Sequence, residues 1–130
     1  MIRYYLRQLP HNSKDMFKGA TELGSTIDIE NYVATYQAEV PENIKPELYN
    51  DELFRIFNSN HPEGFAWHSM SVGDIIEYRN FDTKESTYYL CDHFGFTNIT
   101  KRIKKRWYDD FINSGINIIY NYGYYDYNFL

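Results

Sequence analysis

Two neighbouring segments have the pattern of a β-hairpin, and a hairpin restricts the possible folds of a short chain. "DIIEYRNF" (74–81) and "STYYLCDHF" (86–94) are rich in β-branched and aromatic residues. The turn-forming residues of "DTKE" join them. Strands joined by so short a connection pair antiparallel, so we expect an antiparallel sheet built around this hairpin.

Two earlier segments predict further strands. "IRYYLRQL" (2–9) is rich in tyrosine and stops at Pro10. "IENYVATYQAEV" (29–40) alternates in the manner of a strand. That alternation assigns one set of side chains to a single face: Tyr32, Ala34, Tyr36 and Ala38.

Helical patterns occur in three places. Apolar residues at helical spacing predict a helix over "PELYNDELFRIFNS" (46–59), and a short helix is expected near Lys14–Leu23, ended by Gly24. A third helix should begin with Thr100 as N-cap and end before Gly115. Its apolar stripe repeats every four residues: Ile99, Ile103, Trp107 and Phe111. The chain of 130 residues therefore predicts a single α+β domain with an antiparallel sheet of about four or five strands and two or three packed helices. We divide it into a core (1–99), a basic helix (100–115) and a tyrosine-rich tail (116–130).

The composition points to contact surfaces and away from several functional classes. The chain has 14 tyrosines against 2 tryptophans, which suits half-buried surfaces and interfaces, although the codon usage of an AT-rich genome is an equal explanation. A net charge of -5 argues against a general nucleic-acid binder. There is no apolar signal region and no apolar run of about 20 residues, so we expect a cytoplasmic protein. A single cysteine excludes an internal disulfide.

The residues that could carry chemistry have structural explanations that we favour. In a strand, Cys91 and His93 would share a face and Asp92 would point away, which is a poor geometry for a Cys–His dyad. His68 and Asp74 could assist only through tertiary contacts. "SVGD" (71–74) has capping-box spacing, and its Gly73 and Asp74 suit a turn into a strand. We therefore predict a packed thiol at Cys91 and no catalytic residue, so the protein is not expected to be an enzyme.

A metal site would have to draw its ligands from the four histidines together with carboxylates, and the spacing of the histidines does not favour such a site. None has the i, i+4 helical spacing of zinc motifs, and no CxxC is present. We predict no metal and no cofactor. The histidines concerned are His11, His61, His68 and His93.

Two segments near the C-terminus are candidates for binding a partner. The first is a basic run that suits phosphate or an acidic protein surface, or else forms a solvated helix face: Lys101, Arg102, Lys104, Lys105 and Arg106. The second is an aromatic set that forms either an interface or a last strand covering the protein's own core: Tyr120, Tyr122, Tyr124, Tyr125, Tyr127 and Phe129. The acidic residues lie elsewhere, so the charge distribution is bipolar.

Between residues 31 and 99 the chain resembles the YodL-like family. The quoted segments are "NYVATYQAEV", "LFRIFNSNHPEGFAWHSMSVGDIIEYRN" and "STYYLCDHFGFTNI", with a weaker similarity at Tyr4–Leu9. The chain departs from the family's pattern at Trp67, Gly73 and His93. The densest part of the resemblance is a set of fourteen residues: His61, Pro62, Phe65, His68, Ser69, Ser71, Val72, Asp74, Tyr88, Tyr89, Asp92, Phe94, Gly95 and Phe96.

The resemblance implies an accessory domain of bacterial mobile elements and phages, without assigned catalytic residues. Small acidic proteins of such elements often antagonise host defences, which extends the argument by analogy to an anti-CRISPR or anti-restriction role. We therefore expect a non-enzymatic protein that binds a protein partner, an inhibitor of a host defence nuclease complex being the most concrete form. The alternative is a nucleic-acid-binding accessory protein that uses residues 101–106, with tyrosines stacking on bases. A homodimer is possible in either case.

Overall fold

The computed structural model describes residues 1–104, which form one five-stranded antiparallel sheet with two helices. The α+β class and the antiparallel sheet predicted from the sequence are confirmed. The strands lie in the order β2-β1-β3-β4-β5. Their bounds, with those of the helices, are β1 Ile2–Gln8, α1 Ala20–Leu23, β2 Val33–Glu39, α2 Pro46–Ser59, β3 Ile75–Asn80, β4 Glu85–Cys91 and β5 Phe96–Asn98.

The predicted hairpin is present as β3 and β4. The two strands pair from Ile75 opposite Leu90 to Asn80 opposite Glu85. The Asn80 side chain accepts hydrogen bonds from the backbone of Asp82 and Thr83, which closes the turn locally. β4 ends at Cys91, earlier than the predicted Phe94, because residues 92–95 form a second turn.

β2 is shorter and less regular than the sequence pattern indicated. A 3-10 turn at Ile29–Asn31 precedes it. Tyr36 pairs with Leu6 but Ala34 pairs with Arg7, so the register shifts between these positions. This β-bulge moves Ala34 to the opposite face from Tyr36, so the predicted single face of Tyr32, Ala34, Tyr36 and Ala38 is wrong.

Helix α2 has the bounds that the sequence predicted and packs on one face of the sheet, which we call the helical face. Leu53 and Phe57 are its fully buried residues there. The buried Asn50 side chain accepts a hydrogen bond from the Tyr78 hydroxyl at 2.7 Å. The helix and this face share one apolar cluster: Tyr4, Leu6, Val40, Leu53, Phe57, Met70, Ile76, Tyr78 and Cys91.

A second apolar cluster lies on the other face of the sheet, which we call the reverse face. Its buried members are Leu9, Ala20, Ile27, Ile29, Tyr32, Ile75, Leu90 and Ile99. α1, one turn long, contributes to it, and the predicted longer helix from Lys14 is not formed. Hydrogen-bonded turns occupy residues 10–18 instead. Gly24, with φ +86°, follows the helix as predicted.

The segment after β5 differs at its start from the predicted helix. Thr100–Arg102 is a single 3-10 turn, and Ile103 is extended and pairs with Ile27 in a parallel bridge. Hydrogen bonds from Ile27 N–H to Arg102 C=O and from Lys104 N–H to Ile27 C=O hold it, both at 2.8 Å. The rest of the predicted basic helix and the tyrosine-rich tail lie outside the described residues.

Across residues 1–104, no helix combines the length and the apolar character that a membrane crossing requires.

Candidate functional site

The turn "SVGD" is held by the buried carboxylate of Asp74. This side chain accepts hydrogen bonds from Ser71 N–H at 2.9 Å, from Gln8 Nε2 at 3.0 Å and from Leu9 N–H at 3.4 Å. Gly73 has φ +102°, a conformation that favours glycine. Burial raises the pKa of Asp74, and the hydrogen bonds from Gln8 and Ser71 oppose that effect. The turn therefore has the structural role that the sequence predicted, and it ties β3 to the end of β1.

His68 is part of the same network and contacts backbone on both sides of its ring. Its Nδ1 lies 2.8 Å from the Ser69 carbonyl oxygen, and its Nε2 lies 2.9 Å from that of Leu9. Its Nδ1 is 3.9 Å from an Asp74 carboxylate oxygen. With both ring nitrogens against carbonyl oxygens, His68 links the loop before β3 to the end of β1, and neither nitrogen is directed at a nucleophile.

Cys91 faces the core beneath helix α2. It is 3% exposed and belongs to the apolar cluster of the helical face. Burial raises the pKa of its thiol to about 12, with a further contribution from the Asp74 carboxylate. A thiol in these surroundings is a poor nucleophile at neutral pH. Its position agrees with the packed thiol predicted from the sequence.

Asp92 and His93 lie in the turn between β4 and β5 and fasten it to α1. Asp92 accepts hydrogen bonds from Thr97 Oγ1 at 2.6 Å and from Ala20 N–H at 3.3 Å. The hydrogen bond from Thr97, with smaller contributions from backbone N–H groups, lowers the pKa of Asp92. His93 Nε2 lies 2.6 Å from Glu22 Oε1. His93 therefore contacts Glu22, while Cys91 points into the core on the helical face.

The described residues form no cluster suited to a metal ion. Within residues 1–104 no three histidine, cysteine, aspartate or glutamate side chains are arranged to share one. His61 Nε2 contacts the Phe57 carbonyl oxygen at 2.7 Å, and the His11 ring packs against that of His68 with centroids 4.9 Å apart.

The basic run is divided between structural and exposed positions. Arg102 Nη1 donates to the carbonyl oxygen of Ala20 at 2.8 Å, so this guanidinium fastens the end of the described chain to α1. Lys101 and Lys104 are exposed. The other predicted partner-binding residues lie outside the described part of the chain and stay predictions: Lys105, Arg106, Tyr120, Tyr122, Tyr124, Tyr125, Tyr127 and Phe129.

A buried charge cluster on the reverse face was missed by sequence reasoning. Glu77 is fully buried in β3, and one of its oxygens lies 2.7 Å from Arg7 Nη2 while the other lies 2.8 Å from Arg79 Nη2. Ser86 donates to the same carboxylate at 2.6 Å. Burial alone would raise the pKa of Glu77, but Arg7, Arg79 and the hydrogen bonds outweigh it and lower the pKa to about 2. The signal that could have indicated this cluster is that the charged residues of β1 share one face of the strand, as do Glu77 and Arg79 of β3.

Two exposed phenylalanines lie on segments that touch each other at the end of the sheet where β4 meets β5. Phe94 is 96% exposed, in a turn closed by the hydrogen bond from Asp92 N–H to Gly95 C=O at 2.9 Å. Phe17 is 61% exposed and has φ +66°, an unfavourable conformation for a bulky residue. A Cβ at Gly19 would lie 2.7 Å from His93 Cδ2, which shows how closely the two segments pack. We call Phe17, His93 and Phe94 the turn surface.

The unfavourable backbone conformation at Phe17 is held by a neighbouring segment. Phe17 N–H donates to the Val72 carbonyl oxygen at 3.0 Å, which holds the strained backbone in place. Strained residues persist only where their surroundings enforce them, at a cost of about 1–3 kcal/mol, and they concentrate at functional sites. The fold therefore presents apolar contact area at this end.

Fold and site together define a small α+β domain that exposes aromatic side chains on an ordered sheet scaffold. The sequence profile of the YodL-like domain family matches residues 3–101. This is most of the chain, so the protein belongs to the YodL-like domain family. The match extends beyond the resemblance seen over residues 31–99. No curated protein and no solved structure matches the chain.

Proposed function

We propose that this protein acts by binding another protein and has no catalytic activity of its own. In the most concrete form of this proposal, the protein inhibits a host defence nuclease complex and is of anti-CRISPR or anti-restriction type. It is encoded by a phage or another mobile element and acts in the bacterial cytoplasm. The family context and the acidic composition support the biological setting. The observation that carries the binding role is the nearly complete exposure of Phe94 in a turn that is fastened to the rest of the fold.

The surroundings of the potentially reactive side chains support the non-catalytic part of the proposal. The Cys91 thiol is buried with a raised pKa, and His68 contacts backbone carbonyl oxygens through both ring nitrogens. Nucleophilic catalysis needs a base directed at an accessible nucleophile. Neither arrangement offers such a pair.

The proposal is tested by capturing partners with the full-length protein. The bait is exposed to lysate from a bacterial host that carries restriction and CRISPR systems, and Phe94→Ser is compared with the unchanged protein. Leu48→Ser is the matched control, because Leu48 is also exposed but lies on α2. We expect a nuclease-complex subunit to be captured by wild type and by the Leu48 variant. Its affinity for the Phe94 variant should fall about thirtyfold, as expected for a hot-spot residue worth about 2 kcal/mol.

Phe17 allows binding to be separated from stability. Phe17→Gly removes the side chain and relieves the unfavourable φ, so the variant should unfold at the same urea concentration as wild type or at a higher one. The same variant should bind the captured subunit more weakly. A Phe17→Gly protein that is less stable but binds normally would contradict the role given to the turn surface.

A cellular assay tests the inhibitory form. Expression of the protein should raise the plating efficiency of a phage that the host nuclease restricts, and Phe94→Ser should remove this effect. Unchanged restriction together with no specific capture would refute the proposal.

Direct binding of nucleic acid is the second candidate, and the exposure of Lys101 and Lys104 favours it. It predicts an affinity that falls steeply with salt and weakens in the Lys101→Ala/Lys104→Ala protein. Absence of binding to single- or double-stranded DNA and RNA at low salt would exclude it.

A further inference from the structure

Three side chains on the reverse face are buried one above the other. Tyr5 on β1 and Glu77 on β3 are cross-strand neighbours, and both are buried. The Arg79 guanidinium lies over the Tyr5 ring, 4.6 Å from its centroid, and its Nη2 contacts Glu77. Although Arg79 forms the upper layer, its side chain is only 11% exposed. We call Tyr5, Glu77 and Arg79 the arginine patch.

Within residues 1–104, the segments that pack on the reverse face form their apolar cluster at the other end of β3. That cluster lies around Ile75 and Leu90, and among the described residues it does not include Tyr5. The hydrogen bonds within the arginine patch join strands of the sheet to one another, as those from Arg79 and Ser86 to Glu77 do. A strand cannot cover an arginine that stands on its own face, so the burial of Arg79 requires a further layer of chain above the patch.

The described part of the chain ends on this same face. Ile103 packs against the reverse-face cluster and pairs with Ile27, whose carbonyl oxygen accepts a hydrogen bond from Lys104 N–H at 2.8 Å. Residues 105–130 follow. An extended chain advances about 3.3 Å per residue, and five strands about 4.8 Å apart span roughly 20 Å. The remaining chain therefore starts on the correct side of the sheet and is long enough to reach the arginine patch.

The charge and composition of the remaining chain match the patch. Around Glu77 the sheet carries three arginines on the same face: Arg3, Arg7 and Arg79. After Arg106 the chain has three aspartates and no basic residue, so the two charges are complementary. The tail (116–130) is rich in tyrosine. Guanidinium groups stack on aromatic rings, and a tyrosine hydroxyl can keep a polar partner at the edge of a buried contact.

We propose that the tyrosine-rich tail covers the arginine patch of its own chain, with its aromatic rings packed against Tyr5 and the Arg79 guanidinium. The tail then has the second of the two roles that its sequence left open, which is to cover the protein's own core. The inference does not depend on the proposed function, because that function uses Phe94 at the turn surface.

A nitroxide spin label on the tail of the full-length protein tests this placement by NMR. Asn121→Cys introduces a thiol and keeps every aromatic residue of the tail. Cys91 is buried and burial raises the pKa of its thiol, so the label should attach selectively to the new cysteine. In ¹⁵N-labelled protein we expect the amide signals of Tyr5 and Arg79 to lose at least half of their intensity, compared with the reduced label. The signal of Leu48, on α2 at the helical face, should be unchanged.

A mixed sample distinguishes the protein's own tail from the tail of a second copy. Spin-labelled protein without ¹⁵N is mixed with ¹⁵N-labelled protein that carries no spin label, and we expect no loss of signal at Tyr5 or Arg79. A loss in this mixture would mean that a second copy supplies the tail, which would overturn the inference. Unchanged signals of both residues in the protein that carries both labels would overturn it as well.

Tail variants measure whether the contact stabilises the fold. Tyr120→Ser/Tyr122→Ser/Tyr124→Ser should lower the midpoint of urea unfolding by about 0.5 M or more, because buried aromatic contacts with the sheet are lost. Leu48→Ser is the control, since Leu48 is exposed on α2, and its midpoint should stay within about 0.2 M of wild type. A triple variant with an unchanged midpoint would contradict the packing of the tail on the arginine patch.

Discussion

Replacing Glu77 with glutamine measures the contribution of the buried charge cluster to the stability of the fold. The substitution keeps the shape of the side chain but removes the charge that Arg7 and Arg79 contact at 2.7 Å and 2.8 Å. The fall in the pKa of Glu77 from 4.5 to about 2 corresponds to about 3 kcal/mol, at about 1.36 kcal/mol per pH unit. Loss of one member of a buried ion pair costs about 3–5 kcal/mol in other proteins, which agrees with this magnitude. A total stability of about 5–15 kcal/mol would therefore fall substantially.

The same cluster predicts how stability changes with pH. Because the pKa of Glu77 is lower in the folded protein, its contribution is fully present above the ordinary pKa of 4.5 and is lost as the pH falls toward about 2. Urea unfolding followed by circular dichroism at a series of pH values between these limits should show the loss. The Glu77→Gln protein should be about 3 kcal/mol less stable at pH 7 and should lack this component of the acid dependence.

Glu85→Gln is the matched control, since Glu85 is exposed at the start of the neighbouring strand β4. Its unfolding free energy should stay within about 0.5 kcal/mol of wild type. If Glu77→Gln were as stable as wild type at pH 7, or kept the full acid dependence, the stabilising role given to the cluster would be wrong.

Three further predictions concern the network around β3 and the core. In urea unfolding, Gly73→Ala should destabilise the protein by about 1–3 kcal/mol, and by more than Gly64→Ala does. Both glycines have positive φ, but only a Cβ at Gly73 would meet backbone atoms, the nearest oxygen lying 3.3 Å away. Equal losses would argue against crowding at that turn. Asp74→Ala should cost about 3 kcal/mol in the same assay, because three N–H donors lose their acceptor, whereas the exposed Asp82→Ala should cost little. Similar losses in the two proteins would contradict the network. At pH 8, Cys91 should react with a thiol reagent roughly a thousandfold more slowly in the native protein than in urea, because the pKa of its thiol in the folded protein is about 12. Rapid labelling of the native protein would mean that the thiol is accessible.

Several elements were predictable because their signal is contained in a few consecutive residues. The helix over 46–59 has the predicted bounds, since its apolar residues recur at helical spacing and Pro46 suits the first turn. The β3–β4 hairpin follows from two alternating segments and a turn that closes through Asn80. The packed thiol at Cys91 was also expected from its place in an apolar strand.

Other local patterns were misleading because tertiary contacts favoured a different local structure from the one that the pattern predicted. Thr100 has the sequence of a helix N-cap, but its hydroxyl accepts a hydrogen bond from Tyr88 N–H at 2.9 Å and belongs to the packing against β4. Ile103 pairs with Ile27, which lies more than seventy residues earlier, and this extended pairing ends the turn. The bulge in β2 likewise depends on its register with β1 and has no glycine or proline to mark it.

The partner-binding residues predicted from the sequence and the exposed residues seen in the structure lie in different places. Sequence reasoning placed recognition in the basic run and the tyrosine-rich tail, most of which lies outside the described residues, so those assignments stay predictions. It did not single out Phe17 or Phe94 for binding, because exposure of an aromatic residue depends on which segments cover it.

The sequence by itself determined the α+β class, the main helix, the central hairpin and the family, because periodicity, turn chemistry and motif are properties of contiguous residues. The tertiary structure alone decided the strand order, the burial of Glu77 between two arginines and the exposure of Phe94. Arg7 and Glu77 are 70 positions apart and meet only when β1 pairs with β3. The burial of a residue and its electrostatic partners depend on residues that are distant in the chain. A local sequence pattern does not show which of these distant residues will become neighbours in the fold.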